Sequence, residues 1–143
     1  MLVGPFYRKY VKLLPLDQVP FAIQSNTKFY PYFKNCRGAI DGSQFNSWVQ
    51  EEATVRCRNR KGFISQNVLA ICDWTLRFLY VLSGWEGSAA DSRVFDYACR
   101  RDLYLPRTYY FLADAGFPLC DMLMTPYRGV RYHLKEWKSG NQR

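Results

Sequence analysis

The sequence predicts an α/β domain whose mixed sheet combines an antiparallel hairpin with a parallel strand and is flanked by helices. Two observations support this prediction. Apolar runs of strand length recur along the chain, and a segment with helical periodicity separates the last two of them. Two of these runs also end in an aspartate that small residues follow, as when a buried strand carries an acid to the edge of a sheet.

The first of these acids is Asp41, at the end of an apolar strand predicted at 37–42. Gly42 comes next, and because glycine has no side chain we expect the chain to turn away here. Asp-Gly is also a common turn dipeptide, so a plain turn is the alternative. The second acid, Asp114, ends the apolar strand predicted at 109–114 in the same way.

Two further strands, predicted at 66–72 and 77–85, are joined by a short turn and should form an antiparallel hairpin. Each carries apolar side chains on both faces, which predicts central strands that are covered on both sides. If the first strand pairs beside this hairpin and the last strand returns parallel to it, Asp41 and Asp114 lie side by side.

A helix is predicted from about residue 92 to residue 101, with Val94, Phe95 and Ala98 on its buried side. Asp91, just before this helix, has two interpretations. It is either an acid at the helix N-terminus, where the helix dipole favours negative charge, or a further acid that faces a metal site.

The composition fits one globular domain or part of one. Of the 143 residues, 48% are hydrophobic, which suffices for a substantial core and excludes a disordered chain. The formal net charge of +8 favours a polyanionic partner, with nucleic acid first. No apolar run reaches about 18 residues, so no membrane span is predicted.

The five cysteines are widely spaced and form no C-x-x-C pair, so a zinc site is not predicted. Their odd number, and the lack of a signal peptide in this sequence, favour reduced thiols in an intracellular compartment. Cys72 lies within an apolar run and is interpreted as a small core residue.

The stretch 1–35 is predicted to be an N-terminal helical and linker segment, and 36–143 to hold the domain that carries the acids. A short amphipathic helix is expected to begin near Pro5. Pro15 and Pro20 then interrupt the chain, which is typical of an attachment segment rather than of a core.

Two basic stretches are candidates for contacts with phosphate. The first is a loop that contains Arg56, Arg58, Arg60 and Lys61. The alternative interpretation of this loop is a solvated hairpin tip without a ligand. The second is the C-terminal stretch, where cations alternate with aromatic side chains as on nucleic-acid surfaces; its alternative is an ordinary solvated basic face. The cations assigned to it as nucleic-acid contacts are Arg128, Arg131 and Lys135.

Several of these stretches together resemble the transposases of the PIF/Harbinger group, within the DDE superfamily of nucleases that have an RNase H-like fold. The resemblance covers roughly residues 30–138, and the motifs occur in the same order as in the family. The matching stretches are 38–42, 58–62, 65–69, 84–88, 91–94, 114–118 and 125–134.

The resemblance implies an RNase H-like mixed sheet that is incomplete at the C-terminus of this chain. It also implies strand-borne catalytic acids at Asp41 and Asp114, with a glutamate on a later helix as the third. These acids would hold two Mg²⁺ or Mn²⁺ ions for hydrolysis and strand transfer of DNA phosphodiesters. Asp91 is the remaining candidate metal ligand. DNA is the implied partner, a separate DNA-binding protein would be a second one, and the implied compartment is the nucleus.

The sequence departs from the family pattern in three respects. Glu136 is the only glutamate after Asp114, and it precedes the helix expected to carry the third acid. Gln44 stands where the family often has histidine, and no N-terminal DNA-binding region precedes the first strand. Because two aspartates without a third ligand should bind metal weakly, we expect impaired catalysis.

Two other functions are open on the sequence alone. One is a non-catalytic, transposon-derived module that binds DNA or a protein partner through its basic residues. The other is a plain α+β domain whose two aspartates belong to turns.

Overall fold

The computed structural model describes residues 4–13 and 15–127, in which five strands form one sheet with helices around it. The helices are α1 (Pro5–Tyr10), α2 (Phe21–Gln24), a short 3₁₀ helix (Glu51–Ala53), α3 (Thr54–Cys57) and α4 (Asp91–Arg101). The strands are β1 (Cys36–Asn46), β2 (Ser65–Cys72), β3 (Phe78–Glu86), β4 (Tyr110–Leu112) and β5 (Leu123–Met124). Within these described residues, no helix has the length and apolar character needed to span a bilayer.

The sheet is mixed, as predicted, with the strand order β3-β2-β1-β4-β5. β2 pairs antiparallel with both β1 and β3, whereas β4 runs parallel to β1 and β5 runs parallel to β4. α4 lies in the crossover that leads from β3, at one edge, to β4 on the other side of β1. This order, with helices against the sheet, is consistent with an RNase H-like fold and confirms the predicted fold class.

One expectation about the sheet is wrong: β3 is an edge strand and not a central one. Its outer side is covered locally by α1 instead. The Tyr7 hydroxyl donates a hydrogen bond to the carbonyl of Val81 at 2.9 Å and accepts one from the N–H of Val81 at 3.1 Å. A side chain thus satisfies backbone groups on the edge strand, which makes this edge less open to pairing with another strand.

The core lies between α4 and one face of the sheet. Every second residue of β2 is buried, because alternate side chains along a strand point to the same face. α4 contributes Val94, Phe95 and Ala98, as its periodicity predicted. The buried cluster also contains Ile40, Leu69, Ile71, Leu79, Leu82, Leu103, Leu105, Phe111, Phe117 and Leu123.

A buried arginine attaches the N-terminal segment to the sheet. Arg37 donates hydrogen bonds to the carbonyls of Leu16 at 2.8 Å and Gln18 at 2.9 Å, and its guanidinium lies 4.2 Å from the ring centre of Tyr109. Farther along the same segment, Ile23 is fully buried. This stretch therefore packs against the sheet and does not behave as a free linker.

The turn between β2 and β3 is closed by Asp73. Its carboxylate accepts hydrogen bonds from the N–H and the hydroxyl of Thr75, both at 2.7 Å, and from the N–H and Nε of Arg77 at 3.0 and 3.1 Å. Burial alone would raise the pKa of this carboxyl, but the hydrogen bonds outweigh burial and hold the pKa below its ordinary value. Asp73 is thus an acid with a complete set of structural partners.

Candidate active site

The strand that carries Asp41 is longer than the sequence predicted. β1 does not end at this acid, and Gly42 does not turn the chain, because β1 continues to pair with β2 as far as Asn46 and Ser65. Only the parallel partner is short, since β4 ends at Leu112. Asp41 therefore lies in the middle of a strand of 11 residues, near the level at which its neighbour stops.

A bulge in β1 sets the alignment of the two strands. Cys36 pairs with Tyr110, but the next pair is Ala39 with Leu112, so β1 uses one residue more than β4 over this interval. Gly38 lies in the bulge with a φ of 149°, and a backbone carbonyl of β2 occupies the space that a Cβ would need. Glycine is therefore required here for both its conformation and its small size.

Continued past the end of β4, the register after this bulge would set Asp41, and not Ile40, opposite Asp114. Asp41 and Asp114 each come two residues after the Ala39–Leu112 pair, and Asp114 lies just beyond the end of β4. If the chain stays extended to Asp114, the alternation of side chains along a strand puts both acids on the same face. The backbones of neighbouring strands lie about 4.8 Å apart. Without the extra residue, Asp114 would align with Ile40, whose side chain is in the core.

Both acids are exposed and have few partners. The Asp41 carboxylate accepts a hydrogen bond from the N–H of Gly42 at 2.8 Å, and the Asp114 carboxylate accepts one from the N–H of Gly116 at 2.8 Å. Neither acid forms an ion pair with another residue in the described part of the chain. Since an ionised carboxylate has about four acceptor sites, most of this capacity is left for a ligand.

The opposite face of β1 at this level is occupied by Asp91, the first residue of α4. The Asp91 carboxylate lies directly against Gly42, in the space that a Cβ on the glycine would need. Its Oδ1 accepts a hydrogen bond of 2.7 Å from Nδ2 of Asn67, which also donates to the carbonyl of Ala89 at 3.0 Å. The missing side chain at position 42 therefore allows the start of α4 to approach β1 closely.

This position agrees with the first interpretation of Asp91, as an acid at the helix N-terminus. No side chain caps α4, and a carboxylate in its first turn is favoured by the helix dipole. Its contact with Gly42 lies on the core face, whereas Asp41 belongs to the other face. Among residues 4–13 and 15–127, no three His, Cys, Asp or Glu side chains are grouped as ligands of one metal ion. The role of Asp91 as a metal ligand stays a prediction.

The first basic stretch forms α3 and the turn after it, at the free end of the β1–β2 hairpin. Arg56 pairs with Glu86 at 3.4 Å, and Nη1 of Arg58 donates to a carbonyl of the turn at 2.9 Å. Arg60 and Lys61 are exposed, and neither pairs with an acid in the described part of the chain. The loop is therefore a solvated turn with exposed cations. This structure is compatible both with a contact to phosphate and with a hairpin tip that has no ligand.

The second basic stretch lies outside the described residues. It contains Arg128, Arg131 and Lys135, and also His133 and Glu136. What the sequence predicts for these side chains stays a prediction.

Asp41 on β1 and Asp114 just beyond β4 are exposed carboxylates on neighbouring parallel segments, and carboxylates of this kind can hold the cations of a two-metal site. The family described as DDE superfamily endonuclease matches residues 41–143, so the match begins at the first of these acids and covers most of the chain. The chain therefore belongs to the DDE superfamily endonuclease family.

A curated relative from Arabidopsis thaliana, named Protein ALP1-like, is 34% identical to the chain over 114 residues. The alignment covers 66% of this chain and 28% of the relative, so the match spans little more than a quarter of that protein's length. Together, the two matches confirm the recognition of a PIF/Harbinger-type DDE domain from its sequence motifs. No solved structure matches the chain significantly.

Sequence reasoning misses the residues that align and support the acids. The bulge at Gly38 and the contact between Gly42 and Asp91 both depend on a second element that is distant along the chain. A partial signal does exist, since a glycine inside a strand often marks a bulge or the close approach of another group. Asn67 belongs to the polar start of β2, Ser65-Gln66-Asn67, and nothing in the sequence indicates that its side chain is buried and hydrogen-bonded to Asp91.

Proposed function

We propose that this chain is the metal-binding part of a transposase-derived DDE endonuclease domain that acts on DNA phosphodiesters. In this proposal Asp41 and Asp114 hold Mg²⁺ or Mn²⁺. The observation that supports it is the register between β1 and β4, which would set the two acids on one face of the sheet if it continues past Leu112. The family match that begins at residue 41 supports the same function.

The residues at this site suit a hard divalent cation. Both donors are carboxylates, both are exposed, and neither is neutralised by a cation in the described part of the chain. Mg²⁺ is commonly held by one or two carboxylates and keeps several of its waters, so a closed cage of protein ligands is not needed. A pair of such ions, when bound, activates the attacking oxygen and stabilises the leaving oxygen of a phosphodiester.

The chain's own residues would orient the two ligands. The N–H groups of Gly42 and Gly116 each hold an oxygen of the adjacent carboxylate, which limits rotation of the side chain. On the other face of β1, Asp91 supports the backbone at Gly42, next to Asp41. Support of this kind keeps ligands at a fixed separation, as a metal site requires.

The isolated chain should cleave DNA slowly at most. The described residues provide two exposed carboxylates and no group of three ligands. Ions held by two acids are bound and positioned less well than ions in a site with three, so we expect weak metal binding and impaired catalysis.

The DNA itself would be held largely through phosphate contacts. The exposed cations Arg58, Arg60 and Lys61 are suited to such contacts, which fix position and carry no sequence information. Recognition of a particular DNA sequence would then come from elsewhere, for which a separate DNA-binding protein is the proposed partner. A DNA substrate also favours the nucleus as the compartment.

Calorimetric titration with Mn²⁺ tests the metal site. The wild-type chain should bind Mn²⁺, and both Asp41→Asn and Asp114→Asn should abolish binding because each replaces a charged ligand by a neutral one of the same size. Asp96→Asn is the matched control, since Asp96 is an exposed acid on α4 that pairs with Arg100. Equal Mn²⁺ binding by the wild type and the first two variants would refute the proposal.

A second candidate function is DNA binding without catalysis. It is favoured by the lack of a three-ligand group among the described residues. DNA affinity that falls steeply with salt and is equal in Mg²⁺ and in EDTA, together with no Mn²⁺ binding, would identify this function.

A further inference from the structure

We propose that the free end of the β1–β2 hairpin binds unpaired nucleotides. In this proposal the rings of Trp48 and Phe63 stack on bases, and Arg58, Arg60 and Lys61 contact the flanking phosphates. The inference rests on the proposed DNA-binding function and adds a substrate class to it, namely DNA whose strands are locally separated. We call these five residues the stacking turn.

The two rings lie in the same connection, near the free end of the β1–β2 hairpin. The β1–β2 pairing keeps a single register up to Asn46. One step farther, the N–H of Ser47 donates a hydrogen bond to the carbonyl of Ile64 at 3.1 Å, so the pairing continues in the same register. Beyond this bond, Ile64 bridges to Arg58, and the N–H of Asn59 donates to the carbonyl of Phe63 at 2.8 Å. Phe63 therefore belongs to the turn, and Trp48 follows β1 near the same end of the hairpin.

Both rings are strongly exposed. The relative exposure is 102% for Trp48 and 61% for Phe63, so neither ring is part of the core. Other tryptophans of the chain differ, since Trp74 packs beside Phe29 and Trp85 beside Tyr97. Large aromatic surfaces left in water are typical of binding sites.

The turn that carries Arg58, Arg60, Lys61 and Phe63 is held by hydrogen bonds of Asn59. Oδ1 of Asn59 accepts hydrogen bonds from the N–H of Lys61 at 3.0 Å and from the N–H of Phe63 at 3.1 Å. Nδ2 of Asn59 donates to Oγ of Ser65 at 3.0 Å, and that hydroxyl donates to Gln44 at 2.8 Å. Because the turn is ordered before it binds, little conformational entropy is lost on binding.

Positive charge borders the rings. Arg58, Arg60 and Lys61 are exposed and form no ion pair within the described part of the chain. Glu51 and Glu52 lie earlier in the same connection between β1 and β2, which contains four cations against these two acids. The excess is positive, and the cations closest in sequence to Phe63 are the unpaired ones.

Unpaired nucleic acid fits this surface better than a duplex does. Stacking on an aromatic side chain requires a free base face, and a paired duplex hides these faces, whereas cations alone would suit either form. Tryptophan, phenylalanine and arginine are also enriched at protein interfaces, so the preference for nucleic acid rests on the excess of positive charge in this connection. Interleaved cations and rings are the pattern of proteins that bind single strands.

The stacking turn also lies on the strand that carries the first acid. Trp48 comes soon after the end of β1, the strand that carries Asp41, so one strand connects the stacking turn to the proposed cleavage site. The inference thus links a feature of the DNA to the place where cleavage is proposed.

Fluorescence anisotropy in EDTA tests this inference without involving the metal site. The probes are a short fluorescein-labelled oligothymidylate and a blunt duplex of the same length. Trp48→Ala should raise the Kd for the single strand roughly 5- to 100-fold, the range for loss of one stacked base, and should change the Kd for the duplex less than about twofold. Trp48→Phe should recover most of the single-strand affinity.

Tyr104→Ala is the matched control, because Tyr104 is an exposed aromatic residue outside the hairpin and its loss should change neither Kd. An unchanged single-strand Kd in Trp48→Ala, or equal weakening of both DNA forms, would overturn the inference. So would self-association of the wild type that the variant loses in sedimentation, since the rings would then join two copies. A wild type that binds neither probe would reject the DNA-binding function itself, whereas failure of the Mn²⁺ titration would leave this result standing.

Discussion

Two carboxylates flank the same point of β1, one on each face, and their surroundings differ. Asp91 rests against Gly42 and accepts a hydrogen bond from Asn67, so its negative charge is used to attach α4 to the sheet. Asp41 is exposed, and the register between β1 and β4 would set another acid, Asp114, opposite it if it continues past Leu112. The fold thus gives one acid structural partners and leaves the other exposed.

This difference separates acids that stabilise the fold from acids that are free for function. Asp73 belongs with Asp91, because hydrogen bonds from Thr75 and Arg77 occupy its carboxylate. Two carboxylates kept side by side repel each other, and this arrangement becomes favourable when a cation binds between them. The contrast can be tested by substitutions on each side of β1.

The largest loss of stability is expected for Gly38→Ala, which changes the bulge in β1. A Cβ at this position would overlap a backbone carbonyl of β2, and alanine rarely adopts a φ of 149°. The free energy of unfolding should fall by about 3 kcal/mol or more, as measured by urea denaturation. Ala39→Gly, at the exposed neighbouring position, should cost less than about 1 kcal/mol. A loss of the same small size in Gly38→Ala would contradict the role assigned to the bulge.

Gly42→Ala should break the contact on the Asp91 side of β1. The new Cβ would collide with the Asp91 carboxylate, and overpacking of this kind typically costs about 1–3 kcal/mol of stability. Asp91→Ala removes the obstacle, so the double variant should be more stable than the sum of the two single losses predicts. A double-mutant cycle in urea measures this coupling, which should reach about 1 kcal/mol. Additive losses would show that the two residues do not interact.

Asp73→Asn tests how much an acid with structural hydrogen bonds contributes to stability. The variant loses charge-assisted hydrogen bonds, so we expect a loss of about 1–2 kcal/mol near neutral pH. Because the pKa of Asp73 is lowered in the folded protein, its contribution is present above the ordinary value of 3.8 and disappears as the pH falls through the folded pKa. Urea denaturation of both proteins should therefore give converging stabilities below pH 3.8. If the difference in free energy of unfolding between the wild type and the variant became larger as the pH falls, the pKa of Asp73 would not be lowered by folding and this explanation would be refuted.

The smallest effect on stability is expected for Asp41→Asn. Removal of one of two adjacent exposed charges should change the free energy of unfolding by less than about 0.5 kcal/mol. Calorimetry should then show that Mn²⁺ raises the Tm of the wild type and not of the variant, because only a ligand bound to the folded state stabilises it. A large loss of stability without metal would mean that Asp41 is a structural acid like Asp91.

The fold class was predictable because apolar runs and a helical stripe report burial directly. The same patterns do not report strand order, and for this reason β3 was expected at the centre of the sheet and is found at its edge. The patterns also do not show how strongly two strands pair with each other. The Asp-Gly signal favours a turn after Asp41, but continued pairing with β2 overrides that local preference.

The candidate site was predictable in part. The parallel return of the last strand beside β1 is observed, whereas the side-by-side position of Asp41 and Asp114 stays a prediction. The details depend on contacts between distant segments. Gly38 is needed because of a carbonyl in β2, and Gly42 because of a carboxylate at the start of α4. No local pattern around either glycine contains that information.

Arg37 has a consequence for how this protein can be divided. Its guanidinium is buried, it pairs with no acid in the described part of the chain, and its charge is met by two carbonyls of the segment around Leu16. A recombinant fragment that began at Cys36 would keep this cation and remove its acceptors. Since stranding a buried charge costs about 3–5 kcal/mol, such a fragment would lose much of its stability, and the cooperative folding unit begins well before the first strand.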